Sequence, residues 1–217
     1  MNDARATTDR AAAGSLGIAV FGGAFNPPHR THQRLAAAAL AQLPVATLLV
    51  VPAGDHPHKA GTGVAAAMHR LRMCAIAFAG MPGVVVDDRE LQRPGPSFTV
   101  DTLAELAAMH PGRQLWFVIG ADNLRLLPTW RDHHRLLALA NVATFPRAGV
   151  AADDGALRGL DLDADERRRL LQHRLQFEPD AVAAADLRAR LQRGERSLAE
   201  LPAGVEAYVL ANHLYGT

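Results

Sequence analysis

Short apolar runs and amphipathic segments alternate along this chain. The runs Ile18–Phe21, Thr47–Val51, Val84–Val86, Leu115–Ile119 and Val142–Phe145 are almost free of polar residues. Runs of that length, bounded by polar or turn residues, predict strands buried on both faces. Between and after them, apolar residues spaced three or four apart predict helices over 31–42, 65–79, 99–109, 131–140, 165–175, 186–193 and 205–213. In the first of these, Leu35, Ala39 and Leu43 recur at intervals of four. Strands alternating with helices imply right-handed crossovers, and hence an α/β fold with a parallel sheet covered on both faces. Ligands of such sheets bind at the carboxyl ends of the strands, near a switch point in strand order. The stretch 150–180 is Ala/Asp/Gly-rich and then strongly charged over Asp161–Arg169. It reads as a variable surface loop followed by a solvated helix.

Composition narrows the picture further. With 217 residues and 49% hydrophobic content, the chain can bury a sizeable single core. Residues 1–15 lack an apolar signal core and read as a disordered tail, leaving 16–217 as one domain. The net charge of +1 gives no bulk electrostatic pull towards nucleic acid or a membrane surface. No apolar run is long enough to span a bilayer. The single cysteine, Cys74, lies in an apolar helical run with no activating partner in sequence, which suits a buried thiol and a reducing cytoplasm.

The chemistry concentrates in Gly22-Gly23-Ala24-Phe25-Asn26-Pro27-Pro28-His29-Arg30-Thr31-His32. A strand runs into a glycine turn, which opens a helix carrying two histidines. Such a turn lets backbone N–H groups and a helix N-terminus face an anion. It fits neither the dinucleotide fingerprint G-x-G-x-x-G nor a P-loop ending in G-K-[ST]. Histidines three apart on a first helical turn share a face, so both can point at one phosphate chain.

The segment resembles the nucleotidyltransferase signature G-x-F-[DN]-P-x-H-x-G-H. From Ile18 to Tyr215 the chain is similar to the bacterial nicotinate-mononucleotide adenylyltransferases. The resemblance is carried by His56-Pro57-His58-Lys59, Arg72-Met73, Asp88-Arg89-Glu90-Leu91 and Pro96-Ser97-Phe98-Thr99-Val100-Asp101-Thr102-Leu103. It continues through Ile119-Gly120-Ala121-Asp122-Asn123, Pro128-Thr129-Trp130, Arg147-Ala148-Gly149 and the C-terminal Leu201-Pro202…His213-Leu214-Tyr215. It implies a Rossmann-like fold with a small C-terminal helical part.

It also implies adenylyl transfer from ATP to nicotinate mononucleotide, with Mg²⁺ carried by ATP and no metal cage in the protein. On this resemblance His32 would serve the α-phosphoryl group, His29 the β- and γ-phosphates, and Arg188 the triphosphate from a helix start. Gly22, Gly23, Ala24, Phe25, Lys59 and Arg147 would bind ATP. Phe98, Thr99, Asp122 and Trp130 would bind the mononucleotide, with Trp130 stacked on the pyridine ring. Neither nucleic acid nor a membrane is implied as a partner, and homo-oligomerisation is left open.

Besides Ala148, which stands where the family usually has proline, the chain departs from the pattern at three places. Thr31 stands where the signature has glycine, and Phe98 where the family usually has tyrosine. The family's second phosphate motif, Ile-Ser-x-Thr-x-Ile-Arg, reads Val182-Ala183-Ala184-Ala185-Asp186-Leu187-Arg188 here. Two hydroxyl donors are missing, and Asp186 brings a negative charge towards the expected triphosphate. Two alternatives stay open at this point: a paralogue with another acceptor, such as nicotinamide mononucleotide, or a catalytically weak nucleotide-sensing protein.

Overall fold

A computed structural model describes residues 16–54, 64–147 and 154–217, so the expected tail over 1–15 lies outside the described residues. The strands are β1 (Gly17–Gly23), β2 (Val45–Pro52), β3 (Val84–Val86), β4 (Leu115–Gly120) and β5 (Ala140–Phe145). They form one sheet in the order β3-β2-β1-β4-β5, every neighbouring pair parallel. The helices are α1 (Arg30–Gln42), α2 (Ala67–Ala77), the single turn α3 (Arg89–Gln92), α4 (Thr99–Met109), α5 (His133–Leu139), the single turn α6 (Asp154–Leu157), α7 (Ala164–Gln172), α8 (Ala184–Gln192) and α9 (Ala203–Ala211).

Alternation along the strands divides the core in two. Ala19, Phe21, Leu48, Val50, Trp116, Val118, Ala143 and Phe145 face one side. There they meet Leu35 and Ala39 of α1, Met73 and Cys74 of α2, Leu187 and Leu191 of α8, and Val205 and Val209 of α9. Ile18, Val20, Leu49, Val51, Leu115, Phe117, Ile119 and Val142 face the other, against Leu103 and Leu106 of α4, Leu136 of α5, Leu157 of α6 and Leu170 of α7. This is why the strands read as unbroken apolar runs: successive side chains enter different cores. Burial of each large aliphatic side chain contributes roughly 1.5–3 kcal/mol. Cys74 is buried, and that burial pushes its thiol far above the usual range, as the sequence reading expected.

The charged stretch before residue 180 is more than a solvated helix. In α7, Leu170 joins the second core and Glu166 is buried. The Glu166 carboxylate accepts from the Asp163 N–H at 2.9 Å, while Asp163 accepts from the N–H of Glu166 at 2.8 Å, closing a capping box. A charge-rich pattern hid this anchoring because only two of the nine helical residues carry it. Among the described residues no helix is long and apolar enough to cross a membrane.

Candidate active site

From β1 the chain crosses to β2 on one side, whereas β4 leads to β5 on the other, so the connections diverge between β1 and β4. A crevice opens at their carboxyl ends, Gly22–Gly23 and Ile119–Gly120. Two adjoining cavities occupy it, of about 760 and about 480 Å³, and both are lined by Gly22, Gly23, Phe117, Asn123 and Trp130.

The loop after β1 is held on several sides. A Cβ on Gly23 would stand 3.2 Å from the Phe25 ring, and Phe25 itself takes a left-handed φ of 46°. Strain of that kind collects at functional loops and persists only where the surroundings impose it. Here Phe25 is buried edge-on against Phe21 and Phe78. Asn26 Oδ1 accepts from the Ala65 N–H and from the Tyr215 hydroxyl, each at 2.9 Å. The fully buried Arg70 donates to the carbonyls of Ala24 (3.1 Å), Ala53 (2.7 Å) and Ala65 (3.0 Å).

His29 and His32 both line the larger cavity. His29 is the N-cap of α1, and its own N–H donates to Nδ1 of His32 at 3.1 Å. Accepting there leaves Nδ1 of His32 unprotonated, so the neutral ring carries its proton on Nε2. The rings lie 3.9 Å apart between centroids, and His32 packs on Phe25 at 5.0 Å. Burial holds the His29 pKa down to about 4, with Arg147 adding to the fall and Asp180 opposing it. Burial also holds His32 well below the ordinary range, with His29 and Arg147 contributing. Nδ1 of His29 is buried without a hydrogen-bond partner among the described residues.

Arg147 and Arg188 line the same cavity, and no carboxylate does among the described residues. Arg188 donates to the Asn26 carbonyl at 2.9 Å, tying α8 to the signature loop. Arg147 lies over the Phe145 ring at 5.1 Å, its Nε 3.6 Å from Asp122 Oδ1. A Cβ on Gly120 would meet the Asp122 carboxylate and crowd Arg147, so glycine lets this pair sit where it does without a side-chain shift. Asp122 sits inside a 3₁₀ turn capped by Gly120 and is exposed; its neighbour Asn123 lines both cavities instead. Lys59 lies outside the described residues.

The altered phosphate segment splits. Val182, Ala183 and Ala184 line the larger cavity, Ala183 as the N-cap of α8. Ala185 and Asp186 are exposed and outside its lining, so only one of the two missing hydroxyls, that at Ala183, would face it. Thr31 does not crowd the phosphate side: it is buried, and its hydroxyl donates to Asp180, with the carboxylate oxygens at 2.7 and 2.8 Å.

The smaller cavity is lined by Phe98, Thr99, Trp130, Arg131 and Glu90, among others. Phe98 caps α4 and Thr99 begins it, so the start of that helix borders the cavity. Trp130 lies 5.8 Å from Phe117, ring to ring. The Arg131 guanidinium stacks 4.6 Å over the Phe98 ring. Sequence reasoning missed Arg131, Arg70 and Asp180. A cation directly after Trp130 was the one signal available for Arg131; the other two had none.

Comparisons with known proteins agree with this geometry. A family model described as Cytidylyltransferase-like matches residues 20–189. A protein of Albidiferax ferrireducens named probable nicotinate-nucleotide adenylyltransferase is 42% identical over 201 residues, 92% of this chain and 98% of that one. One of the same name from Bordetella petrii is 37% identical over 198 residues, 91% of this chain and 98% of its own. Among solved structures, a Plasmodium falciparum nicotinic acid mononucleotide adenylyltransferase complexed with NaAD superposes with a TM-score of 0.72 at 16% identity, covering 92% of this chain and 97% of that one.

Proposed function

Because the chain belongs to the Cytidylyltransferase-like family, and within it to the nicotinate-nucleotide adenylyltransferases, we propose that it transfers the adenylyl group of ATP to nicotinate mononucleotide, releasing pyrophosphate and nicotinate adenine dinucleotide. The carrying observation is the pair of adjoining cavities that meet at Gly22, Gly23 and Trp130, one holding both histidines with Arg147 and Arg188, the other Phe98, the start of α4 and Arg131. Two nucleotides laid end to end fit that division. The phosphate oxygen of the mononucleotide forms a bond to the α-phosphorus of ATP, and the bond from that phosphorus to the bridging oxygen breaks with pyrophosphate. No protein nucleophile is required, so catalysis rests on alignment and on stabilising the developing charge.

Each residue then has a task. His32, a neutral Nε2–H donor, serves the α-phosphoryl oxygens. His29, Arg147, Arg188 and the N–H groups opening α8 serve the leaving phosphates. Trp130 and Phe98 hold the pyridine ring, and the start of α4 with Arg131 answers its carboxylate. Mg²⁺ carried by ATP would supply charge neutralisation of the phosphates. The larger cavity, lined by imidazoles, guanidinium groups and backbone and without carboxylate among the described residues, suits a metal that arrives on its nucleotide. The readings as a nucleotide sensor or a nicotinamide-directed paralogue are not favoured, since the relatives match across 92% of the chain under one enzyme name. Incubation with ATP, Mg²⁺ and either mononucleotide, following pyrophosphate and dinucleotide, tests the proposal. Turnover with the nicotinate form is expected; a silent protein, or a preference for the nicotinamide form, overturns it.

A further inference from the structure

One face of α1 grips an extended segment that leads into α8. Gln42 and Gln176 exchange two hydrogen bonds, side chain to backbone, at 2.7 and 2.9 Å. Arg34 stacks on Phe177 at 4.8 Å, donates to the Glu178 carbonyl at 3.2 Å and pairs with Asp180 at 2.8 Å. Thr31 closes the row on Asp180. Thr31, Arg34 and Gln42 share a helical face, so the segment runs antiparallel along it. The last grip falls three residues before Ala183, where the segment turns into the cavity wall.

That last grip matters because the stretch of wall it leads into, Val182, Ala183 and Ala184, has no side-chain donors of its own. Ala183 and Ala184 can offer only main-chain N–H groups, whose aim is set wholly by where the backbone is held. Asp180 also accepts from the Val182 N–H at 3.4 Å, and the helix it leads into carries Arg188.

We propose that Asp180 is a positioning residue for adenylyl transfer: clasped by Thr31, it fixes the first turn of α8 and Arg188 against His29 and His32, and so sets how the phosphates of ATP are held. Thr31, at the position between the two histidines, is the other half of the clasp. This inference rests on the reading of the site as an ATP site.

The test is steady-state kinetics of the native protein, Thr31→Val, Thr31→Ser, Asp180→Ala and Asp180→Asn. Thr31→Val and Asp180→Ala are expected to raise KM for ATP roughly tenfold, the worth of one charge-assisted hydrogen bond, while KM for the mononucleotide stays within about twofold. Thr31→Ser, which keeps the hydroxyl, is expected to stay near native. The double variant Thr31→Val/Asp180→Ala is expected to be little worse than Asp180→Ala, since the partner of the Thr31 hydroxyl is already gone. An unchanged KM for ATP, an equal rise for both substrates, or a serine variant as impaired as the valine overturns the inference. Should Thr31→Val not fold, Asp180→Ala decides, and a native KM for ATP there overturns it; Asp180→Asn, whose amide oxygen can still accept from Thr31, is expected to lie between the native protein and Asp180→Ala. A native protein that makes no product overturns this inference and the functional reading together; an active native protein with unaffected variants overturns this one alone.

Discussion

The main-chain N–H of His29 donates to Nδ1 of His32, so one histidine fixes the tautomer of the other. On the proposed reading His32 would then meet the α-phosphoryl group as a neutral donor at Nε2 rather than as a cation. Replacing it by alanine is expected to lower kcat roughly 10²–10³-fold, the usual cost of losing a transition-state donor. Thermal denaturation should remain cooperative. Undiminished turnover of purified His32→Ala would remove the residue from the mechanism.

Both imidazoles are held neutral, which ties stability to pH with a definite sign. His29 has a folded pKa of about 4 against an ordinary 6.5. Below pH 6.5 the unfolded chain therefore binds a proton that the folded protein refuses. The stabilisation is complete above pH 6.5 and is lost progressively as pH falls towards 4. The Tm of the native protein should fall over that interval more than the Tm of His29→Gln. Parallel Tm curves for the two proteins would contradict the assignment.

Ala183→Ser is expected to lower KM for ATP and to raise stability by about 0.5–2 kcal/mol, because serine at an N-cap accepts from the following turn. Ala185→Thr, outside the cavity lining, should leave KM for ATP near native. Kinetics of the two single variants, with urea denaturation, separate these expectations. A gain at 185 and none at 183 would mean that the start of α8 faces the nucleotide differently.

Arg131, stacked on Phe98 at the smaller cavity, gives that cavity a cation suited to a pyridine carboxylate. Arg131→Gln is expected to reduce kcat/KM for nicotinate mononucleotide roughly tenfold, in line with one hydrogen bond to a charged group. It should hardly change the nicotinamide form. Equal losses on the two substrates would show that Arg131 only supports the ring of Phe98.

Much of this was legible in the chain, and the reasons are particular. The strands were readable because residues such as Val20 and Phe21 both enter cores, leaving no polar position to blur the run. His29, His32 and the glycine turn sit within eleven residues, so local geometry alone brings them together. Ala183 and Ala185 looked equivalent because spacing does not reveal which side of a helix start faces a cavity. Residues two apart do not share a face. Arg70 and Asp180 carried no local pattern at all, and Tyr215 matches the family with no role attached. Each acts on the signature loop or its helix from 46 to 189 residues away, through a hydrogen bond that only the tertiary fold creates.

The bond from Tyr215 to Asn26 has a bearing on how the protein comes into being. The ribosome makes the glycine turn early, yet a residue that arrives 189 positions later braces it. A nascent chain halted before Tyr215 carries every residue of the histidine signature without the strut that steadies Asn26. The signature loop thus reaches its full set of hydrogen bonds only after the returning C-terminal segment has docked on it.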